Sequence, residues 1–495
     1  MNWQERAAAI RWNVRPLIDG KHRASTASDL FNKVNPATEK ILYQTPVGDS
    51  QDIDAAVKIA RRRFDDGCWS DMSQTGRAAV LMKFADLIVQ RKEELALFDC
   101  LEMGKPIQAA LHDAENTASS LLRCWASFAD KLVGESAPMT ASTMLINTYE
   151  PRGVVGAIIP WNFPTVNAIY KLGPALAAGN AVVLKPSELS PSSALRLGEL
   201  ALEAGVPEGI VNIVPGLGRT VGMALALHPE VDFLSFTGST TTGRKVMELC
   251  GRSNGKPLLL ECGGKSPHVV FDDVENLDAV ADAVVQLVVW NQGQVCGAHT
   301  RLIAHDSIKS ELLDKIVMRA CQHHPADPLK EDTTFGPLAS PKQRDRVKAY
   351  IDDGVRREGV RVALRGPVSE TGGCYVAPSV FDCSDSRDPI IQEEIFGPVL
   401  CTQGFSTEDE ALALANGTDY GLAATVWTRN AGLGRRMARA IKAGAVLIRT
   451  SGQEGISSGC TLSYEPQKAS GFGTEVGLGG LRAYSSLKLL SFSGG

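Results

Sequence analysis

Two short runs hold residue types that can do covalent chemistry. Leu-Glu261-Cys-Gly-Gly-Lys-Ser-Pro places a carboxylate directly after an apolar Leu run, and Asn-Gln-Gly-Gln-Val-Cys296 follows downstream. A carboxylate at the end of a buried strand has its pKa raised towards the range of a general base. A cysteine after a helical apolar stretch and a glycine turn sits where an accessible thiolate near a helix end can act as nucleophile. The plain alternative for Cys296 is strong, since an isolated cysteine is more often a small apolar filler of the core. The 11 cysteines are scattered singly, none at CxxC spacing, and their number is odd. That argues for reduced thiols and against a disulfide framework or a metal site.

Other runs suit a nucleotide. Gly216-Leu-Gly218-Arg-Thr-Val-Gly222 follows a strand pattern but is one residue too long for GxGxxG, and a tight strand-to-helix turn explains it equally well. Gly238-Ser239-Thr-Thr-Thr-Gly243 is the better phosphate candidate. It too follows a strand and opens a helix, with hydroxyls and backbone N–H groups free to meet a diphosphate. Lys185-Pro-Ser-Glu188 ends another strand. A carboxylate there suits the two ribose hydroxyls of an adenosine and repels a 2′-phosphate, so NAD is favoured over NADP. For KPSE alone, a surface Lys/Glu pair would be the better reading.

Elements that position these runs are legible in the periodicity. GVVGAIIP (153–160), NAVVLKP (180–186), IVNIVPG (210–216) and VDFLSFTG (231–238) read as strands, each followed by a helical stretch. The first of these helices covers 164–179 and ends on Gly179; the second runs to about 204 with Ser190 as its cap. Strands separated by single helices imply parallel βαβ units and a doubly wound sheet. Residues 50–130 carry helical periodicity, 140–150 reads as an extended strand, and LKLLSF (487–492) as a last strand. Residues 262–450 again mix strands and helices, and the Ser/Gly-rich run after 450 reads as a loop.

With 495 residues, more than one core is expected. Hydrophobic residues at 44% and charged residues at 22% suit a globular enzyme, and a net charge of −5 gives no electrostatic case for nucleic acid or an anionic membrane. The N-terminal segment lacks the apolar core of a signal peptide, and no apolar run is long enough to span a bilayer. A cytoplasmic location is the default expectation.

Taken together the runs resemble one family. WNFP (161–164), KPSE (185–188), FTGSTTTG (236–243), LECGGKSP (260–267), NQGQVC (291–296) and EEIFGPV (393–399) stand in the order and spacing of the NAD-dependent aldehyde dehydrogenases, hydrolytic branch. EMGKP (102–106) and YGLAATVWT (420–428) add to the likeness, which covers nearly the whole chain. The resemblance implies that Cys296 attacks the aldehyde carbon, that Asn162 and the Cys296 N–H form an oxyanion hole, and that Glu261 activates water to hydrolyse the thioester. It assigns Glu394 and Phe396 to the nicotinamide side of NAD, Lys185 and Glu188 to the adenosine ribose, and Gly238, Ser239 and Gly243 to the diphosphate. Trp161 would line the cofactor channel, and Glu475 is a proton-relay candidate.

The implied α/β fold has a doubly wound NAD-binding domain (1–130 and 151–261), an α/β catalytic domain (262–460) and a strand arm (131–150 and 478–495). Exposed arm strands need covering, so a homodimer or homotetramer is expected.

The substrate side departs from the family pattern. Asn167 and Tyr170 stand where relatives taking small apolar aldehydes often carry larger apolar groups. Arg449 replaces a family Asn, and Ser-Tyr464-Glu-Pro-Gln-Lys468 replaces PFGGYK after a loop a few residues longer than usual. Arg449 either anchors an anionic or polar substrate group or substitutes structurally for the Asn, and the second reading is favoured because such a replacement needs local compensation. Tyr464 is expected at the mouth of the substrate tunnel. Tyr170, Tyr464 and Asn167 suit a moderately bulky or polar aldehyde, aromatic or amino-alkyl. Two rival functions remain: a CoA-acylating dehydrogenase, against which the retained Glu261 speaks, and a catalytically weak or inert relative with a binding or structural role.

Overall fold

The computed structural model describes residues 2–46, 48–140, 143–369, 372–450 and 461–493. The expected loop after residue 450 lies outside the described residues up to 460.

Strands Val154–Ile158, Ala181–Lys185, Val211–Ile213, Phe233–Thr237 and Leu258–Glu261 form a parallel sheet, each followed in the chain by a helix or a helical turn except the last. Nearly every residue in them is buried, which is why they read as continuous apolar runs rather than alternating ones. The hairpin Leu17–Ile18/Lys21–His22 closes one edge beside Val211–Ile213. At the other edge Gly471–Phe472 pairs antiparallel with Leu258–Glu261, setting Glu261 opposite Gly471. A segment from far along the chain thus returns to the strand that carries Glu261.

A second sheet holds seven strands in the order Val360–Leu364, Ser379–Cys383, Val399–Phe405, Arg301–His305, Pro267–Val270, Ala423–Trp427 and Ala445–Arg449. All neighbours are parallel except at Val360–Leu364. A third sheet joins Ser136–Thr140, Thr143–Pro151 and Ser485–Ser493 antiparallel, with Met144, Leu487, Leu489 and Phe492 exposed. The stretch before its last strand is helical, Gly477–Ala483. Among the described residues no helix is long and apolar enough to cross a membrane.

The helix expected after the first strand runs Pro164–Ala177 and starts on a proline, whose missing N–H costs nothing there. The next runs Ser192–Ala204, but Ser190 does not cap it. The Ser190 hydroxyl instead donates to the Trp161 carbonyl at 3.3 Å, and the capping acceptor comes from another helix, the Glu102 carboxylate, 3.1 Å from the Ser192 N–H.

Candidate active site

The helix Leu277–Val289 gives way to the turn Trp290–Gly293, where Asn291 and Gln292 hold left-handed backbone with φ of 49° and 57°. Such a conformation costs roughly 1 kcal/mol per non-glycine residue and persists only when its surroundings fix it. The Asn291 amide does so, donating to the Asn162 carbonyl at 2.9 Å and the Gln294 carbonyl at 3.2 Å. Cys296 follows, half-buried, with its carbonyl against Gly264, where any Cβ would come within 2.5 Å of that oxygen.

The thiol differs from the sequence expectation. Burial first, then the charges of Glu261 and Glu394, push the Cys296 thiol well above its ordinary value. The nearby helix end does not compensate, because the groups facing the sulfur are carboxylates rather than cations. Glu261 lies at its strand end, 5% exposed, and its Oε2 has no hydrogen-bond partner among the described residues. Burial and the charge of Glu475 raise its proton affinity well above the usual carboxylate, while Lys171 pulls the other way. Lys171, fully buried on the helix Pro164–Ala177, forms an ion pair with Glu475.

Asn162 precedes that same helix. Its side-chain amide donates to the Gln294 carbonyl at 2.9 Å, and its Oδ1 accepts from Asn167 at 3.3 Å. Asn162 is therefore tied on three sides to the loop that leads into Cys296 and to its own helix.

One cavity of about 710 Å³ is lined by Cys296, Asn162, Asn167, Tyr170, Trp161, Gly238, Ser239, Glu394, Phe396 and Arg449. Ser239 caps the helix Thr240–Arg252, accepting from the Thr242 N–H, so the hydroxyl and the helix N-terminus face this space together. Gly243, one turn in, packs so that a Cβ would lie 2.6 Å from the Cys262 sulfur. Phe396 has left-handed backbone, φ 61°, and stands edge-on to Trp161 with ring centroids 5.3 Å apart. Gln343 donates to the Phe396 carbonyl at 2.7 Å and Arg346 to the Glu394 carbonyl at 2.6 Å. The Glu394 carboxylate accepts from the Gly264 N–H at 3.1 Å, and burial pushes its pKa up to about 7. Lys185 is buried at its strand end and pairs with the half-exposed Glu188 at 3.4 Å. An anion-accepting helix start and an aromatic pair line the same cavity as the thiol and fit a dinucleotide with its redox end at Cys296, while Lys185, Glu188 and Glu261 are not among the lining residues. The run Gly218–Gly222, by contrast, forms a π turn and does not line the cavity.

On the substrate side, Arg449 ends the strand Ala445–Arg449 with its guanidinium 5.4 Å from the Trp427 ring centroid. His268 and Thr425 share the cavity wall with it. Tyr464 is not among the residues lining the cavity; burial and the charges of Glu261, Tyr170 and Glu475 suppress its ionisation. Sequence reasoning missed Lys171, Asn291, Gln294, Gln343 and Arg346. Asn291 and Gln294 stood in plain view within NQGQVC, and Lys171 lies one turn beyond Asn167. Gln343 and Arg346 carry no local signal at all.

The chain matches the Aldehyde dehydrogenase family over residues 22–490. It is 40% identical over 491 residues to an NADP/NAD-dependent aldehyde dehydrogenase of Escherichia coli (strain K12), covering 99% of this chain and 98% of that one. It is also 40% identical to an aminoacetaldehyde dehydrogenase of Pseudomonas aeruginosa, over 94% of this chain and 93% of that one. A crystal structure of an indole-3-acetaldehyde dehydrogenase complexed with NAD+ superposes with a TM-score of 0.95 at 41% identity, covering 99% of both chains.

Proposed function

The chain belongs to the aldehyde dehydrogenase family, and from that membership we propose that it oxidises an aldehyde to a carboxylic acid with NAD, through a thioester on Cys296. The observation that carries this reading is the single cavity lined by Cys296, Asn162, Glu394 and Ser239.

Ser239, with Gly238 and Gly243, would hold the diphosphate, Lys185 and Glu188 the adenosine ribose, and Glu394, Phe396 and Trp161 the nicotinamide side. NAD, when bound, supplies the hydride acceptor that converts the tetrahedral adduct into the thioester. Because burial disfavours the thiolate, the Cys296 proton must leave as the sulfur attacks. Glu261, the carboxylate whose charge the thiol feels most, is the acceptor. The Asn162 amide and the Cys296 N–H then stabilise the oxyanion; one amide hydrogen is held by the Gln294 carbonyl and the second is the one offered to the oxyanion. The Glu475–Lys171 pair would first relay the thiol's proton away, so that Glu261, again a carboxylate, can take a proton from water attacking the thioester.

The substrate we favour is a moderately bulky or polar aldehyde, aromatic or amino-alkyl. Asn167, Tyr170 and Trp290 in the lining support that, and relatives are named for aminoacetaldehyde and indole-3-acetaldehyde. The Trp427 contact of Arg449 supports its structural role. The exposed Leu487, Leu489 and Phe492 favour covering of the third sheet by a second copy, in a dimer or tetramer.

NADH absorbance over an aldehyde panel, with and without CoA, tests the reading. Carboxylate formation with NAD alone, strongest on aromatic or amino-alkyl aldehydes, is expected. Acyl-CoA as the product, or no turnover on any aldehyde, overturns it.

A further inference from the structure

Two carboxylates on the helix Lys92–Met103 stand one turn apart and act on helices to which they do not belong. Glu102, fully buried, accepts from the Ser192 N–H at 3.1 Å and from the Ser192 hydroxyl at 2.7 Å, and also from Tyr43. Asp99, 1% exposed, accepts from the Thr165 N–H at 3.4 Å and from the Ser193 hydroxyl. Thr165 is in the first turn of the helix Pro164–Ala177, and Ser192 and Ser193 open the helix Ser192–Ala204. Neither helix has a side-chain cap from its own N-cap residue, Phe163 or Pro191. The two carboxylates therefore satisfy N–H groups that would otherwise be orphaned in the interior, and each stands at the positive end of a helix dipole.

The loops entering these two helices are the ones that carry Trp161-Asn162 and Lys185–Glu188. They are also tied to each other, through the Ser190 hydroxyl and the Trp161 carbonyl. Moving either helix start by a fraction of an ångström moves the amide of Asn162, which is tied on three sides, or the carboxylate of Glu188, which meets Lys185 at 3.4 Å.

We propose that Asp99 and Glu102 are positioning residues of the active site: Asp99 fixes the helix start that presents Asn162, and Glu102 fixes the turn that presents Lys185 and Glu188 to the cofactor. The proposal rests on the reading above in taking Asn162 as the oxyanion donor and Glu188 as the ribose ligand. A merely structural pair of caps would lower stability without sorting its effects between the two steps.

The test uses the full-length protein, with NAD binding followed by quenching of tryptophan fluorescence, steady-state kinetics on one aldehyde, and melting of each variant. Glu102→Gln is expected to raise the Kd for NAD about fivefold or more while kcat at saturating NAD stays within about twofold. Asp99→Asn is expected to lower kcat about tenfold with the Kd for NAD changed by less than about threefold. Ser192→Ala, which keeps the carboxylate and removes one of its donors, should move the Kd in the same direction as Glu102→Gln, and it decides the matter if that variant does not fold. Tyr43→Phe, which removes a donor to the same Glu102 oxygen but lies on neither helix start, should leave both constants unchanged. Variants that melt lower with Kd and kcat intact, or that depress both constants alike, overturn the proposal. A wild-type protein that neither binds NAD nor turns over overturns the underlying reading instead, and is recognised before any variant is made.

Discussion

Lys171 and Glu475 form a buried ion pair whose charges both reach Glu261, and it joins the helix that follows Asn162 to the segment that returns from the far end of the chain. The negative charge of Glu475 raises the proton affinity of Glu261, and Lys171 lowers it. In Glu475→Gln the raising charge is gone and the lowering one remains. The alkaline-rising limb of the kcat profile should therefore move to lower pH, by about one unit. A limb that stays in place, or shifts upward, would show that Glu261 does not titrate in the rate-limiting step.

Glu188 is the only carboxylate paired with Lys185 among the described residues, and it is half-exposed at the strand end. Its charge opposes a 2′-phosphate but not a 2′-hydroxyl. Glu188→Gln should narrow the preference for NAD over NADP about tenfold, measured as the ratio of the two Kd values. An unchanged ratio would mean that the adenosine ribose is held elsewhere.

Arg449 stacks on Trp427, whose indole N–H in turn donates to His268 at 3.1 Å. Arg449→Ala should cost about 1 kcal/mol of stability, seen as a lower Tm. The ratio of KM for acidic to neutral aldehydes should stay as in the wild type. A selective rise in KM for acidic aldehydes at unchanged Tm would instead make Arg449 a substrate anchor.

His299, three residues past Cys296, is buried with Nδ1 3.0 Å from the Gly297 carbonyl and Nε2 3.1 Å from the Thr425 hydroxyl. A neutral ring satisfies both contacts, Nδ1–H donating and Nε2 accepting. Burial lowers its pKa from 6.5 to about 4. The unfolded chain thus takes up this proton first on acidification, so the contribution to stability is complete above pH 6.5 and is lost as pH falls towards 4. In His299→Gln the drop in unfolding free energy between pH 7 and pH 5 should shrink by on the order of 2 kcal/mol. The carboxylates with raised pKa act in the opposite sense but are common to both proteins, so they cancel in the difference. An identical drop in both would contradict the assignment.

Much of this was legible in the sequence, for identifiable reasons. The five parallel strands were readable because both faces are buried, leaving apolar runs bounded by glycine and proline turns. Glu261 and Cys296 carry a local signal, a strand end and a helix end where the chain turns, whereas Asn162 is marked only by the resemblance that WNFP and its companion runs carry. Relations across distant segments were not legible. Lys171 finds Glu475, and Glu102 finds Ser192, only because packing brings helices together, and a one-dimensional pattern does not encode that. The thiol's environment was misjudged for the same reason. Local spacing shows a helix end near Cys296, whereas the fold brings the charges of Glu261 and Glu394 to bear on it. Ser190 failed as a cap because its hydroxyl is drawn to the Trp161 carbonyl of a neighbouring loop.

A thioester on Cys296 that Glu261 helps water to cleave can be trapped directly. Glu261→Gln should still take up aldehyde and NAD and, with the thiol's proton lost to solvent instead, release one equivalent of NADH more slowly than the wild type does in its first turnover. It should then stall, with intact-mass and peptide analysis placing one acyl group on Cys296. Cys296→Ser should give neither NADH nor adduct. A Glu261→Gln protein that turns over at the wild-type rate without accumulating an acyl group, or one whose adduct sits on another residue, would contradict the account.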